Sequence, residues 1–137
     1  MIIVSACLAG IKCRYDGKAI HCEKVINLIK QGKAIPVCPE QLGGLTTPRF
    51  PAEQKGNKVF AKNGEDVTTK FKFGAKEALK IAILAKCKSA ILKSKSPSCG
   101  LDKIYDGTFS EKLINGDGIF TQILKKNNIK VYTENEI

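Results

Sequence analysis

The chain has 137 residues, of which 43% are hydrophobic, and it carries no tryptophan and a formal net charge of +10 at pH 7. A chain of this length can bury a core without disulfide bonds, and no apolar run approaches the roughly 20 residues of a membrane span, so a membrane-spanning protein is excluded. The positive charge comes almost entirely from lysines that are spread along the chain without interleaved aromatic residues, which favours a solvated surface over a dedicated nucleic-acid face.

The first part of the chain predicts alternating strands and helices. Ile2 to Ala6 is a short β-branched run typical of a strand, and Glu23 to Lys33 carries apolar residues at helical spacing until Gly32 ends the helix. Ile35 to Cys38 is again apolar and predicts a second strand. A loop rich in glycine and proline is expected from Pro39 to Pro51.

The second part continues this alternation. The segment KVFAKNGEDVT predicts a small hairpin whose arms turn at Asn63-Gly64, a dipeptide favoured in type I′ turns. A long helix is predicted from Val67 to about Lys86, with Asp66 or Thr68 as its N-cap, and the segment SAILK predicts a strand after it. GDGIFTQILKKNN then predicts a last helix and IKVYT a last strand.

This order of elements predicts the fold class. A parallel strand pair needs a crossover connection, usually a helix, so alternating strands and helices indicate a parallel or mixed sheet with helices packed on its faces. No repeat, linker or low-complexity segment divides the chain. We therefore expect one α/β domain that spans residues 1–137.

Three cysteines follow three predicted strands. Cys7 and Cys38 end the first two strands, and Cys99 comes a few residues after the third. Ligands of open α/β sheets sit beyond the carboxyl ends of the strands, so these thiols are expected to share one rim. The N-terminus lacks a basic leader, which predicts a cytoplasmic protein whose thiols stay reduced. Such soft ligands select zinc, copper(I) or an iron-sulfur cluster.

The number of ligands stays open at this point. Zinc normally takes a fourth ligand, and the single histidine, His21, is expected at the surface. A cubane cluster held by three cysteines keeps one iron open for a further ligand. Cys13, which lies six residues after Cys7, could instead complete a closed site of four cysteines. Cys22 and Cys87 are expected to be buried as small apolar residues.

Several segments together resemble the thiouracil desulfurase (TudS) family, first described only as a domain of unknown function. These are VSACLAGIKCRYDG, PVCPEQLGGLTTPR with PAE after it, GEDVT, AILKSKSPSCG and YDGTF. The resemblance covers nearly the whole chain, and the order and spacing are more specific than any single segment. It implies a compact, three-layer, Rossmann-like domain. The chain resembles the short form of the family, whereas longer relatives carry a second domain as well.

The resemblance also implies a chemistry. The expected reaction is hydrolytic, non-redox removal of sulfur from 2- or 4-thiouracil, or from its nucleoside, to give uracil and hydrosulfide. The expected cofactor is a 4Fe-4S cluster held by Cys7, Cys38 and Cys99, with the thione sulfur of the substrate bound to the open iron. The expected partner is therefore a small thiolated pyrimidine, and a thiolated tRNA is the alternative that the lysines would favour.

A glutamate and a serine are the implied catalytic residues. They correspond here to Glu40 of CPE and Ser96 of SPSCG, with Ser98 and Glu53 as further candidates. Glu40 is expected to accept a proton from the attacking water and Ser96 to hydrogen-bond or protonate the ring. The alternative for Glu40 is a structural role in which it caps backbone N–H groups of its loop.

The two arginines are candidate substrate contacts. Arg14 lies in the turn CRYDG, where a structural ion pair with Asp16 is the alternative. Arg49 follows Thr47-Pro48 and could bind an anionic group such as a phosphate, with a salt bridge inside the loop as the alternative.

Two other function classes remain open from the residues alone. A cysteine-based sulfur or persulfide carrier would use Cys13 or Cys99 as a reactive thiol and would need no cluster. A basic RNA-binding module would hold structural zinc with its cysteines and bind RNA in a strongly salt-dependent way.

Overall fold

The computed structural model describes all of residues 1–137 and centres on a four-stranded parallel sheet. In order across the sheet, the strands are Ala34–Val37 (β2), Ile2–Ser5 (β1), Ser89–Leu92 (β5) and Lys130–Thr133 (β8). Every neighbouring pair is parallel, with Ile3 opposite both Ile35 and Ala90. The α/β fold predicted from the alternation of elements is confirmed.

Helices cover both faces of this sheet. The helices are Glu23–Lys30 (α1), Pro39–Leu42 (α2), Thr68–Leu84 (α3) and Ile119–Lys126 (α4). Along β1 successive side chains point to opposite faces, so Ile3 packs in one core with Ala78 of α3 and Phe120 of α4. Val4 packs in the other core with Val25 of α1. The result is the three-layer arrangement that the resemblance implies.

Two small antiparallel hairpins flank the carboxyl ends of the central strands. They are formed by Ala52–Lys55 (β3) with Lys58–Ala61 (β4) and by Lys103–Tyr105 (β6) with Leu113–Asn115 (β7). The second hairpin was not predicted, because its strands have only three residues each and all three residues of β7 are exposed, too short a stretch to show a hydrophobic pattern.

The predicted hairpin turn at Asn63-Gly64 is wrong for the main ladder, which turns between Lys55 and Lys58. Asn63-Gly64 does form a tight turn after β4, but only an isolated bridge from Phe60 to Asp66 lies beyond it. The reason is local: the carboxylate of Asp66 accepts a hydrogen bond from the backbone N–H of Thr68, which starts α3 and leaves no room for a second arm.

The predicted loop from Pro39 to Pro51 contains the short helix α2, which begins at Pro39, a residue favoured in the first helical turn. This helix lies directly against α3. A Cβ atom at Gly74 of α3 would clash with the carbonyl oxygen of Pro39, and one at Gly43 would clash with that of Lys70. The two glycines therefore permit the backbone contact that sets the position of Cys38 and Glu40.

No helix of the structure combines the length and the apolar character needed to span a bilayer. The expectation that residues 1–137 form a single domain stays a prediction.

Candidate active site

A cavity of about 410 Å³ lies beyond the carboxyl ends of the parallel strands. Cys7 reaches it from a 3-10 turn, Ala6–Leu8, directly after β1, and Cys38 follows β2 at the start of α2. Cys99 enters from the loop after β5, and Cys13 also lines the cavity. The structure thus brings the three predicted ligands together at one rim, and all six cysteines of the chain are free thiols.

Cys13 belongs to this group by contact. Its side chain is 1% exposed, and its thiol interacts with the thiols of Cys7 and Cys38. The hydrogen bond with Cys38 lowers the pKa of Cys13, but the contact with Cys7 and burial outweigh it and raise that pKa to about 11. The hydrogen bond that Cys38 makes to Cys13, followed by burial, raises the pKa of Cys38 strongly. These thiols therefore crowd one another, and the nearby positive charge of Arg49 lowers the pKa of Cys13 by less than these effects raise it.

Cys99 lines the same cavity, close to the hydroxyl groups of Ser5 and Ser98. Burial raises its pKa to about 12, although the nearby hydroxyl groups of Ser5 and Ser98, the latter 3.7 Å from the sulfur, lower it. Ser5 accepts the backbone N–H of Lys93 at 2.9 Å, so its own O–H proton remains free to donate to the sulfur. Ser5 was not predicted as a site residue, although it is a small polar residue at the buried end of β1, which was the available signal.

Glu40 is held by a partner on each carboxylate oxygen. Arg49 donates from Nε to Oε1 at 3.1 Å, and Ser98 donates from Oγ to Oε2 at 2.8 Å. Ser98 Oγ is 3.1 Å from Ser96 Oγ. Because Ser98 has one O–H proton and directs it to the charged acceptor, Ser96 must donate to Ser98. The hydroxyl chain therefore runs from Ser96 through Ser98 to the carboxylate.

The two serines consequently differ in their environment. Ser98 is 3% exposed and contacts Glu40 directly, whereas Ser96 is one hydrogen bond farther away. Ser96 Oγ also accepts the backbone N–H groups of Ser98 and Cys99, at 3.2 and 3.0 Å. Ser96 thus closes the turn that carries Cys99 into the cavity.

Arg49 lines the cavity, but each nitrogen of its guanidinium already has a protein partner. Besides Glu40, it donates to the carbonyl of Thr46, to the hydroxyl of Thr47 and, at 3.0 Å, to the carbonyl of Cys13. Its side chain is 8% exposed. The salt bridge inside the loop that the sequence offered as the alternative is therefore present, and it also ties the Cys13 segment to Glu40.

Arg14 lies at the rim and is less committed. One of its terminal nitrogens pairs with Asp16 at 3.4 Å, and its guanidinium carbon lies 5.8 Å from the ring centroid of Tyr15. The other two guanidinium nitrogens make no hydrogen bond within the chain. Both readings of the CRYDG turn are thus compatible with its position on the cavity wall.

The carboxylate of Glu53 accepts hydrogen bonds from backbone N–H groups and contacts none of the proposed catalytic side chains. Its Oε1 accepts the N–H groups of Gly107 at 3.0 Å and of Phe109 at 3.1 Å, in the loop between β6 and β7. Tyr105 and Phe109 of the YDGTF segment line the same cavity.

Three further residues near the cavity were not predicted from the sequence: Gln54, Lys93 and Glu134. Gln54 is 6% exposed, and its amide nitrogen donates to the carbonyls of Pro97 and Asp117 at 3.0 and 2.9 Å, which anchors the turn before Cys99. Lys93 lies at the cavity wall and pairs with Glu134 at 3.0 Å. No local pattern marks these residues, because their partners are distant in sequence.

The other cysteines and the histidine lie elsewhere. Cys87 is buried in the core under α3 and α4, and Cys22 packs partly buried against the α1 core, as expected of small apolar residues. His21 is exposed and stacks against Gly10, outside the cavity.

The donor set fits an iron-sulfur cluster in its chemistry. Thiolates are the ligands that hold such clusters, and Cys7, Cys38 and Cys99 reach one cavity from three different strand ends. No group of three or more histidine, cysteine, aspartate or glutamate side chains is arranged to hold a metal ion. The fit therefore rests on the type of donor and on the shared cavity.

Comparisons with known proteins show which family the chain resembles. A family model described as 2-thiouracil desulfurase matches residues 2–136. The uncharacterized protein YbbK of Bacillus subtilis (strain 168) is 44% identical over 147 residues, which cover 100% of this chain and 97% of that protein. A solved structure described as the [4Fe-4S]-dependent thiouracil desulfidase TudS (DUF523Vcz) is 42% identical, with a TM-score of 0.95 over 99% of this chain and 91% of its own.

Proposed function

The chain belongs to the 2-thiouracil desulfurase family, and we propose that it hydrolyses a thiolated uracil to uracil and hydrosulfide with the help of a 4Fe-4S cluster. The observation that carries the proposal is the convergence of Cys7, Cys38 and Cys99 with Glu40 in one cavity at the carboxyl ends of the parallel strands. The similarity to the TudS structure, at 42% identity and nearly full coverage, supports the same cofactor and substrate class.

Cys7, Cys38 and Cys99 are the residues proposed to hold the cluster. When bound by three cysteines, such a cluster supplies an iron with an open coordination position, a Lewis acid toward sulfur. Cys13 is not assigned as a ligand, because the resemblance to the family gives only Cys7, Cys38 and Cys99 as ligands. Its contacts with Cys7 and Cys38 keep a closed site of four cysteines as the alternative.

Glu40 is the proposed general base. It accepts the proton of a water that attacks the ring carbon bearing sulfur, so that oxygen replaces sulfur and the sulfur leaves as hydrosulfide. Arg49 and Ser98 fix one carboxylate oxygen each, which holds the group in one orientation before substrate arrives. General-base assistance of this kind is typically worth ~10²- to 10⁴-fold in rate.

The serine role is proposed for the pair rather than for one residue. Ser98 passes or shares the proton that Glu40 receives, since its hydroxyl contacts the carboxylate directly. Ser96 is half-buried at the cavity, and it can donate to the heterocycle only when its O–H turns away from Ser98.

The cavity size favours a small substrate. About 410 Å³ has to accommodate both the cofactor and the reacting ring, so a thiolated base or nucleoside enters more readily than a folded tRNA segment. Cavities that bind small molecules commonly measure ~300 to 1,000 Å³.

A reducing compartment such as the cytoplasm suits these thiols, and we propose it as the location.

Anaerobic purification with iron and sulfide quantified tests the proposal, on the native chain and on the Cys→Ser variants at positions 7, 38, 99 and 13. About four irons and four sulfides per chain, lost at the first three positions and kept in Cys13→Ser, together with uracil and sulfide release from thiouracil, is the expected result. Loss in Cys13→Ser as well would overturn the three-ligand assignment.

The same preparation separates the other function classes. Stoichiometric zinc with salt-dependent RNA binding would replace the proposal by the RNA-binding module. Activity without metal that disappears on alkylation of one cysteine would replace it by the persulfide carrier.

A further inference from the structure

The loop between β6 and β7 places an aromatic ring at the cavity rather than in the core. Phe109 is half-buried and lines the cavity, yet it belongs to none of the three hydrophobic cores of the chain. Packing in a hydrophobic core therefore does not account for the position of this ring. Tyr105, at the end of β6, lines the same wall.

The backbone of the loop between β6 and β7 adopts an unfavourable conformation where it carries Phe109 to the cavity. Phe109 has φ of 55° and Glu111 has φ of 64°, in the left-handed region that bulky residues avoid. Gly107 has φ of 93°, and a Cβ there would lie 2.8 Å from the backbone oxygen of Gln54. The loop thus follows a path that close contact with β3 imposes.

Glu53 of β3 fixes this path. Its Oε1 accepts the N–H groups of both Gly107 and Phe109, and thereby spans the residues that bracket the bend. Asp106 closes the preceding turn by accepting the N–H and O–H of Thr108. A charge-assisted pair of backbone hydrogen bonds of this kind holds a strained segment that would otherwise relax.

From this arrangement we propose that Phe109 determines specificity by stacking on the flat pyrimidine ring, and that Glu53 is the positioning residue that holds it there. This inference rests on the proposed function for the identity of the ring. A planar heterocycle gains from an aromatic face because stacking needs no particular pattern of donors and acceptors. Arg14 lies on the cavity wall, and two of its guanidinium nitrogens make no hydrogen bond within the chain. These nitrogens are available to contact the polar edge of the ring.

The test uses the anaerobically purified cluster-loaded protein and two readouts, calorimetric binding of uracil and steady-state kinetics with thiouracil. Phe109→Ala should weaken uracil binding roughly 5- to 150-fold, the range expected for loss of one base–aromatic stack. It should raise KM by a similar factor with little change in kcat, since the stack is made equally in the ground and transition states. Iron content should stay unchanged.

Phe109→Leu distinguishes stacking from simple filling of space. Leucine keeps an apolar side chain but loses the ring, so the preference of the protein for flat uracil over puckered dihydrouracil should fall toward unity. Phe73→Leu is the matched control, because Phe73 is a 55% exposed phenylalanine on α3 outside the cavity. It should behave as the native chain in both readouts.

Variants of Glu53 test the positioning role. Glu53→Ala should reproduce the change in uracil affinity and KM seen in Phe109→Ala, whereas Glu53→Gln should restore much of both, because its side-chain oxygen still accepts the two N–H groups. A large loss of kcat in Glu53→Gln would instead assign Glu53 to the chemistry and overturn the positioning role.

The outcomes separate this inference from the proposed function. Native turnover of thiouracil with uracil affinity unchanged in Phe109→Ala and Phe109→Leu would overturn the stacking role and leave the function standing. Uracil binding that depends on Phe109 in a native chain without turnover would support the stacking role and overturn the function. A native chain that does not bind uracil would overturn the inference.

Discussion

Ser98 Oγ lies 2.8 Å from Oε2 of Glu40, although 58 positions separate the two residues in the chain. One belongs to the loop after β5 and the other to the short helix after β2, so the contact joins the ends of two strands that flank β1 in the sheet. This hydrogen bond links the proposed base to the segment that carries Cys99, and it connects the chemistry of the site to the geometry of the proposed ligands.

Glu40→Gln should keep the cluster and lose turnover. The amide retains the shape of the carboxyl group and can still accept from Ser98, but it cannot take a proton from water. The expected loss in kcat is about 10²- to 10⁴-fold. Uracil release under anaerobic conditions measures it, with iron and sulfide content as the control. A variant with native turnover would remove Glu40 from the role of base.

Ser98→Ala and Ser96→Ala should have different effects. Ser98→Ala removes the donor to Glu40 and should mainly lower kcat. Ser96→Ala removes the acceptor for the N–H groups of Ser98 and Cys99, and leaving such buried donors unsatisfied costs about 1–3 kcal/mol in the free energy of unfolding. Parallel urea unfolding and kinetic measurements would show the split. The reverse pattern would make Ser96 the catalytic serine.

Arg49→Ala should destabilise the fold strongly. It breaks an ion pair whose side chains are 8% and 14% exposed and also frees the carbonyl of Cys13, and removal of one partner of a buried pair costs about 3–5 kcal/mol. Urea unfolding measures the change, and Lys80→Ala is the control. That lysine forms an exposed pair with Glu77, for which about 0–1 kcal/mol is expected. Equal effects would contradict the role assigned to Arg49.

Stability should depend on pH through Glu134. Burial raises the pKa of this carboxyl group, but hydrogen bonds from the backbone N–H of Ser94 and from Lys93 outweigh it and hold the pKa below its ordinary value of 4.5. A lowered pKa in the folded state stabilises the fold above that ordinary value and ceases to do so as the pH falls through the folded-state pKa. The difference in unfolding free energy between the native chain and Glu134→Gln should therefore shrink on acidification. A pH-independent difference would contradict this assignment.

Gly74→Ala should destabilise the chain and displace α2. The added methyl group meets the carbonyl oxygen of Pro39, which is backbone and cannot rotate away. Overpacking of this kind costs about 1–3 kcal/mol. Thermal unfolding together with iron content would detect both effects, because Cys38 directly precedes Pro39. Lys72→Ala, an exposed change in the same helix, should be nearly neutral.

The parallel α/β architecture and the meeting of Cys7, Cys38 and Cys99 follow from the sequence by itself. Hydrophobic runs of strand and helix length alternate, a parallel sheet places the carboxyl ends of all its strands at one edge, and residues that end such runs must therefore converge. These are local patterns joined by one topological rule, and they needed no knowledge of side-chain partners.

The partners within the site were decided only by the tertiary structure. The resemblance to the family favoured Ser96 over Ser98 and gave Glu53 only as a further candidate, and the residues left both roles of Arg49 open. The choice depends on which side chains of separate loops come within hydrogen-bond distance, and a shift of one ångström would change it. Close backbone contacts at Gly74 and Gly43 fix α2, which carries Glu40, against α3, and such contacts between distant segments leave no periodic signal in the sequence.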